Sequence, residues 1–165
     1  MLSRTSFKDQ NGEDVNIEGL KAKYKNQFTT VTFGFGSCKE LCPTINTNIS
    51  KLSNDFPNAG NIIISVNKEE NTVAGRERYI NTLRDEYGID TKKVTILFPK
   101  NMEQVAKMQE SLGAIVNREA MRSHGDVIAL YAPGGRLLDH TKGMQNYGNI
   151  SGMFAPHISG ANIGK

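Results

Sequence analysis

Short apolar runs alternate with segments of helical periodicity over most of the 165-residue chain. Three runs rich in β-branched and aromatic residues, at 29–35, 62–66 and 93–98, are typical of buried strands. Between and after these runs, apolar residues recur three or four positions apart, as on the buried stripe of an amphipathic helix. This alternation favours a sheet that is covered by helices on both faces. The sequence therefore predicts an α/β fold.

The helical segments have recognisable boundaries. Pro43 suits the first turn of a helix that continues to Phe56, and a glycine follows each of the next two segments. The predicted helices cover 43–56, 73–87, 102–112 and 149–158. The lysine-rich stretch 20–26 is predicted to be a connector.

Turn signals mark a hairpin near each end of the chain. Asn11-Gly12 joins two short extended pieces within 7–17, which we expect at an edge of the fold. Pro133-Gly134-Gly135 joins a strand over 126–131 to a partner over 136–140. Together with a strand-to-helix turn that carries both cysteines, these features predict a thioredoxin-like fold. It has a central mixed sheet flanked by helices and an N-terminal β-hairpin.

Length and charge exclude several classes of protein. A chain of 165 residues without repeats or a linker predicts one domain, 1–165. Its 20 Lys and Arg and 17 Asp and Glu are scattered, and it has no Trp, so nucleic-acid binding is not expected. No run reaches the roughly 18 apolar residues of a membrane span, and the start lacks the core of a signal peptide. Either the protein is cytosolic or an anchor once preceded Met1.

The two cysteines lie in the run Gly36-Ser37-Cys38-Lys39-Glu40-Leu41-Cys42-Pro43, between a predicted strand and a predicted helix. Cys42 falls at the helix N-terminus, where unpaired N–H groups and the helix dipole favour a thiolate. Lys39 is placed to favour the thiolate of Cys38. A disulfide between them would close a very small loop and would add little stability. Redox or metal chemistry is therefore favoured over a structural bridge or a surface disulfide of no function.

The spacing of the cysteines favours a metal ion. Three intervening residues widen the bite between the sulfurs, and two soft thiolates suit Cu(I) or zinc. A nearby imidazole would complete a three-coordinate site that copper can use in either oxidation state. Among the three histidines, His124 just precedes a predicted strand and is the favoured ligand, whereas His140 and His157 are expected to be surface or packing residues.

Other polar and sulfur-containing residues are given ordinary structural roles. Asp126, Asp139 and the Glu69-Glu70 pair are interpreted as solvated or turn residues, because no second carboxylate is spaced for acid–base work. The six methionines show no clustered pattern of thioether ligands, and core packing is expected for Met102 and Met108, which fall on the apolar stripe of a predicted helix.

The chain resembles the Sco/SenC family of copper chaperones, which serve cytochrome c oxidase assembly. The matching motifs are Phe7-x-Asp9-Gln10-x-Gly12, Phe33-Gly34-Phe35-x-Ser37-Cys38-x3-Cys42-Pro43-Thr44, Ile64-Ser65-Val66 and His124. The resemblance implies that Cys38, Cys42 and His124 bind copper, as Cu(I) or Cu(II). It also implies delivery of copper to the CuA site of an oxidase subunit, or reduction of that site's thiols. The family's Asp-Pro pair after the second strand is Asn67-Lys68 in this chain.

The resemblance further implies a protein tethered to a membrane through a segment that this chain lacks. Such a protein faces the bacterial periplasm or the mitochondrial intermembrane space. We expect a monomer whose partner is the CuA subunit or another copper or thiol protein. Two alternatives stay open: a metal-free thiol-disulfide oxidoreductase that uses Cys38 and Cys42 as its redox pair, and a non-catalytic redox or copper sensor.

Overall fold

The computed structural model describes residues 6–34, 42–111, 127–141 and 147–163. The strands in these ranges are β1 (Ser6–Asp9), β2 (Asp14–Asn16), β3 (Thr29–Gly34), β4 (Gly60–Ser65), β5 (Thr95–Pro99), β6 (Ile128–Tyr131) and β7 (Leu137–His140). The helices are α1 (Ile17–Lys23), α2 (Cys42–Asp55), α3 (Val73–Tyr87), α4 (Met102–Ser111) and α5 (Tyr147–Ile163), and a 3-10 turn covers Lys68–Glu70.

The described strands form a seven-stranded mixed sheet in the order β2-β1-β5-β4-β3-β6-β7. The three central strands β5, β4 and β3 are parallel to one another. An antiparallel hairpin flanks them on each side, β1 with β2 and β6 with β7. The predicted mixed sheet is therefore confirmed, and so is the N-terminal hairpin at its edge.

Side chains on the two faces of the sheet pack into separate apolar clusters. One cluster joins β3, β4 and β5 to α1 and α4 through residues such as Leu20, Val105 and Met108. On the opposite face, two clusters join the sheet to α2, α3 and α5. Because side chains alternate along a strand, every central strand contributes to both faces. Helices on both faces exclude water from the sheet, as the sequence predicts.

Helix α1 differs from the sequence prediction, because part of the stretch expected to be a connector is helical. The Asn16 side chain accepts a hydrogen bond from the Gly19 N–H at 2.8 Å and so caps the helix. Leu20 is 6% exposed and packs in the apolar cluster on that face. The cap and the buried leucine fix this seven-residue helix to the fold, and neither produces a periodic pattern.

The other helices begin close to where the sequence places them. In α3 the buried residues are Gly75, Tyr79 and Leu83, whereas Val73, the first residue of the helix, is 77% exposed. Helix α3 is capped at its C-terminus by Gly88, which has a φ of 65°. This left-handed conformation is the one expected of a glycine that ends a helix. Helix α5 is longer than predicted at both ends. The expected end of α4 at Gly113 lies outside the described residues.

The side chain of Gln10 connects the N-terminal hairpin to the segment that enters β5. Its Nε2 donates to the Thr91 carbonyl at 3.0 Å and to the Val94 carbonyl at 2.7 Å. Its Oε1 accepts a hydrogen bond from the Ile96 N–H at 3.0 Å. One amide therefore pairs with three backbone groups that lie more than 80 residues away along the chain.

Gln10→Ala is expected to lower the free energy of unfolding by about 2 kcal/mol, because backbone groups would lose their partners in a partly buried place. Urea denaturation measures this loss as a lower midpoint with an unchanged slope. Lys92→Ala, at an exposed position in the same connection, serves as the control and should change stability by less than about 0.5 kcal/mol. Equal effects of the two substitutions would contradict the role assigned to Gln10.

Two lysines, Lys8 on β1 and Lys100 directly after β5, flank the carboxylate of Asp14 on β2. Lys100 Nζ is 2.6 Å and Lys8 Nζ is 2.9 Å from Asp14 Oδ1. The hydrogen bonds from Lys100 and Lys8 lower the pKa of Asp14 from 3.8 to about 2. Because the folded-state pKa is depressed, these ion pairs stabilise the protein above pH 4, and the contribution is lost as the pH falls towards 2.

Lys100→Met is expected to raise the pKa of Asp14 towards its ordinary value, since the stronger of its two partners is removed. An NMR titration of the Asp14 carboxyl carbon measures the shift. The effect on stability should be small, because the Asp14 side chain is 65% exposed and solvent screens the pair. Glu13→Gln, at the exposed neighbouring position, should leave the Asp14 titration unchanged.

Candidate functional site

The three residues predicted to bind metal are only partly covered by the structure. Cys38 and His124 lie outside the described residues. Cys42 is the first residue of α2, at the helix N-terminus as predicted, and Pro43 follows it in the first turn. A proline is tolerated there because the first N–H groups of a helix have no partner within the helix. The structure thus describes the elements next to the predicted site, which are β3, α2 and β6.

One end of the sheet holds the attachment points of both predicted ligand segments. Gly34, the last residue of β3, pairs with Ser65, the last residue of β4, and the Val66 N–H donates to the Gly34 carbonyl at 2.9 Å. Strand β6 runs antiparallel to β3, with Ile128 opposite Thr32, so β6 begins where β3 ends. We call this end, marked by Gly34, Ser65 and Ile128, the carboxyl edge. The chain leaves β3 and enters β6 at this edge.

A turn directly after β4 is held firmly at the carboxyl edge. The Asn67 side chain accepts a hydrogen bond from the Glu69 N–H at 3.0 Å, and the Asn67 carbonyl accepts one from the Glu70 N–H at 3.0 Å. On the far side of the turn, Asn71 donates to the Pro99 carbonyl at 3.2 Å. Asn67 therefore caps the 3-10 turn with its amide oxygen, although it brings no negative charge to this position.

Glu70 is a buried carboxylate in this turn, and sequence reasoning missed its burial. It is 8% exposed, and Ser65 Oγ donates to its Oε1 at 2.7 Å. The interpretation of Glu69-Glu70 as turn residues is right, but the solvated interpretation is wrong for Glu70. A run of polar residues after a strand gives no signal of burial. The hydroxyl of Ser65, two residues after Ile63 on the same face, gives the buried carboxyl group a hydrogen-bond partner.

Buried polar groups also lie beneath the first half of α2. Thr32 and Ser65 alternate with apolar residues and face the side of the sheet on which α2 and α3 pack. On α2 itself, Asn46 is 1% exposed and Asn48 is 4% exposed. The carboxyl edge therefore has a polar interior under α2, where a sheet that only needed stability would have apolar side chains.

The other two histidines are described. His140 ends β7, and its Nδ1 lies 3.1 Å from the Thr141 carbonyl oxygen. His157 lies on α5 with its Nε2 3.7 Å from Asp139 Oδ2. These positions agree with the expected packing and surface roles. In the parts of the chain that the structure describes, no three His, Cys, Asp or Glu residues are grouped closely enough to hold a metal ion.

Gly75 fixes the turn that carries Glu70 against α3. A methyl group at residue 75 would lie 2.6 Å from the Glu69 carbonyl oxygen and 2.8 Å from the Glu70 Cα. Both atoms belong to the backbone, so neither can move without displacing the turn. The Gly75 N–H also donates to the Thr72 hydroxyl that caps α3, at 3.0 Å. A residue with a side chain does not fit between the turn and the helix.

Gly75→Ala is expected to destabilise the protein by about 1–3 kcal/mol through overpacking. Gly152→Ala is the matched control, because Gly152 is an exposed helical glycine with no atom within 4 Å of an added methyl group. That control should gain up to about 1 kcal/mol from helix propensity. Chemical denaturation of the two variants measures both changes, and a stabilised Gly75→Ala protein would contradict the tight contact.

In the described parts of the chain, none of the helices has both the length and the apolar character needed to cross a bilayer.

A family model described as SCO1/SenC matches residues 3–155. No curated protein matches the chain.

Solved structures resemble this fold at low sequence identity. A SCO1/SenC family lipoprotein from Bacillus anthracis is 18% identical, with 94% of each chain covered and a TM-score of 0.73. BsSco, a Sco family cytochrome c oxidase assembly protein in which a disulfide switch was identified, is 18% identical, with 91% of this chain and 89% of that chain covered and a TM-score of 0.68. Arabidopsis thaliana ScoI with copper bound is 17% identical, with 97% and 99% covered and a TM-score of 0.66. These likenesses confirm the thioredoxin-like fold.

Proposed function

Because the chain belongs to the SCO1/SenC family, we propose that it binds copper and delivers it to the CuA site of cytochrome c oxidase, or maintains the thiols of that site. The observation that carries this proposal is the pairing of β3 with both β4 and β6. This pairing attaches the segment with Cys38 and the segment with His124 to the same edge of the sheet. Copper is the cargo in this proposal.

The length of the connecting chain supports Cys38, Cys42 and His124 as the ligand set. Cys38 follows Gly34 by four residues, and His124 precedes Ile128 by four residues. Each residue spans at most about 3.6 Å, so each ligand lies within about 14 Å of the carboxyl edge. Cys42 opens α2, which packs across the same face of the sheet. The connecting segments are therefore short enough to allow all three residues to bind one metal ion.

The chemistry of this donor set fits copper. Two thiolates are soft ligands that favour Cu(I), and an imidazole nitrogen also suits Cu(II). A site with three protein ligands leaves copper accessible, so a recipient thiolate or imidazole can replace one ligand at a time. Copper then passes between proteins without being released into water.

The relatives support the same assignment for partner and location. BsSco is a cytochrome c oxidase assembly protein, and the Arabidopsis ScoI structure contains copper. The Bacillus anthracis relative is a lipoprotein. We therefore assign this chain to the periplasm or the outer face of the cytoplasmic membrane, or to the intermembrane space in a eukaryote, with the oxidase CuA subunit as its partner.

A metal-free thiol-disulfide oxidoreductase is the second candidate, and the position of Cys42 at the start of α2 favours it. A helix N-terminus stabilises a thiolate, which can attack a disulfide of the target protein. The other cysteine then resolves the mixed disulfide, so the target gains two electrons and this chain becomes the disulfide. Turnover with a dithiol partner in the absence of copper would favour this candidate.

Copper titration of the fully reduced protein tests the leading proposal. We expect one copper per chain, with thiolate-to-Cu(II) charge-transfer absorption in the oxidised complex. His124→Ala should weaken Cu(II) binding by more than the roughly 10-fold to 100-fold typical of changes outside the ligand shell. Its effect on Cu(I) should be much smaller, since the two thiolates remain.

His140→Ala is the matched control, because His140 ends β7 at the side of the carboxyl edge. The His140→Ala variant should bind Cu(I) and Cu(II) as tightly as the unmodified protein does. Failure of the reduced protein to bind stoichiometric copper would overturn the proposal. Loss of Cu(II) in His140→Ala, with binding retained in His124→Ala, would move the third ligand to His140.

A further inference from the structure

An apolar side chain in the middle of the sheet is unusually open to its surroundings. Val31 is the third of the six residues of β3, and the other five are all buried. It lies on the face covered by α1 and α4 and packs against the same apolar cluster as Tyr24 and Tyr131, which are also only partly buried. Side chains at the centre of a sheet with helices on both faces are normally covered. The described helices on this face therefore leave part of the sheet open.

A cavity of about 250 Å³ lies over this open part of the sheet. Strands β3 and β4 contribute Val31, Ile62 and Ile64 to its lining, and the two helices contribute Leu20 and Met108. An apolar cavity of about 150 Å³ stays dry and holds one benzene molecule. On that scale, this cavity holds an apolar molecule of about 10 heavy atoms.

The mouth of the cavity carries a positive charge. The exposed residues of the lining are Lys21, Gly134 and Gly135. A methyl group at residue 135 would lie 3.8 Å from Lys21 Cε, so the lysine side chain lies beside the turn that follows β6. Within the described ranges, no acidic residue lines the cavity and no carboxylate forms an ion pair with Lys21. An ammonium group at the mouth of an apolar cavity suits a ligand with an apolar tail and one anionic head.

The turn between β6 and β7 leaves this mouth uncovered. Gly134 and Gly135 both have a φ of 97°, a conformation that favours glycine over residues with a side chain. The register of β6 against β7 also shifts between Leu130 and Tyr131, and such a bulge changes the direction of a side chain. The two glycines therefore reverse the chain without placing a side chain over the entrance.

We propose that this cavity binds a free medium-chain carboxylate, with an unbranched tail of about eight carbons. The tail contacts Val31, Ile62 and Ile64, and the carboxylate pairs with the Lys21 ammonium at the mouth. Octanoate matches the volume, whereas the longer acyl chains of membrane lipids would leave methylene groups in water. The cavity lies on the opposite face of the sheet from α2, so the inference does not depend on the proposed function.

Calorimetric titration of the metal-free protein at pH 7 with hexanoate, octanoate and dodecanoate tests the size of the site. We expect one octanoate per chain. Each methylene group that enters an apolar cavity tightens binding about fourfold, so octanoate should bind at least about 10-fold more tightly than hexanoate. Dodecanoate should bind no more than about threefold more tightly than octanoate, because the cavity is already full. Affinity that keeps rising with chain length, at several molecules per chain, would indicate surfactant binding and overturn the inference.

Lys21→Met tests the charge at the mouth. It should weaken octanoate binding about threefold to tenfold, and it should leave the binding of 1-octanol, which has the same chain length and no charge, within about twofold. Lys25→Met is the matched control, because Lys25 is an exposed lysine outside the cavity lining and its loss changes the net charge equally. Equal losses of octanoate binding in the two variants would contradict the proposed ion pair.

Two measurements locate the tail. Val31→Phe fills part of the cavity and should weaken both octanoate and 1-octanol at least about 10-fold. In the unmodified protein, nuclear Overhauser effects should connect the octanoate chain to the methyl groups of Val31 and Ile64. Ile63 is the internal control, because it packs on the opposite face of the sheet and should show no such effect. Contacts to Ile63 in place of Ile64 would overturn the inference.

Failure of the unmodified protein to bind octanoate would overturn the inference directly. A dimer that octanoate dissociates, detected by sedimentation, would assign the cavity to a second copy of the chain and overturn it as well. The copper titration is a separate measurement on the same protein. Octanoate binding without copper binding refutes the proposed function alone, whereas copper binding without octanoate binding refutes this inference alone.

Discussion

Strand β3 has two different neighbours, and the rest of the candidate site depends on this pairing. Its parallel partner β4 ends beside it, with Ser65 opposite Gly34. Its antiparallel partner β6 begins beside that same end, with Ile128 opposite Thr32. The point where the chain leaves β3 and the point where it enters β6 therefore lie at one edge, and backbone hydrogen bonds hold these two strands side by side.

The two faces of the sheet serve different purposes at the carboxyl edge. On the face covered by α1 and α4, the core beneath the edge is apolar, with Phe33 and Ile64 buried. On the α2 face, Ser65, Glu70 and Asn46 bring polar atoms into the interior. Polar groups inside a protein are costly unless they are paired, and here the Ser65 hydroxyl is paired with the Glu70 carboxyl group. The tight packing of Gly75 against the turn keeps this layer in a fixed geometry.

The strands and hairpins could be predicted because their signals are local. Runs of β-branched residues and the Asn11-Gly12 and Gly134-Gly135 turns fix where the chain extends and reverses. Helix α1 could not be predicted by periodicity, because it rests on the Asn16 cap and on Leu20. The burial of Glu70 and Asn46 comes from tertiary packing, which no local pattern reports. Cys38, Cys42 and His124 were all predicted as ligands from the sequence. Of these, Cys42 lies at the start of α2, as predicted.

The short outer strand β2 has a consequence for how the protein behaves among its own copies. It has only three residues, and its neighbour β1 is paired on both sides. The exposed carboxylate of Asp14 on β2 forms ion pairs with Lys8 and Lys100. A foreign strand finds few free backbone groups there and meets charge as it approaches. The sheet therefore resists growing into an aggregate through the strand β2.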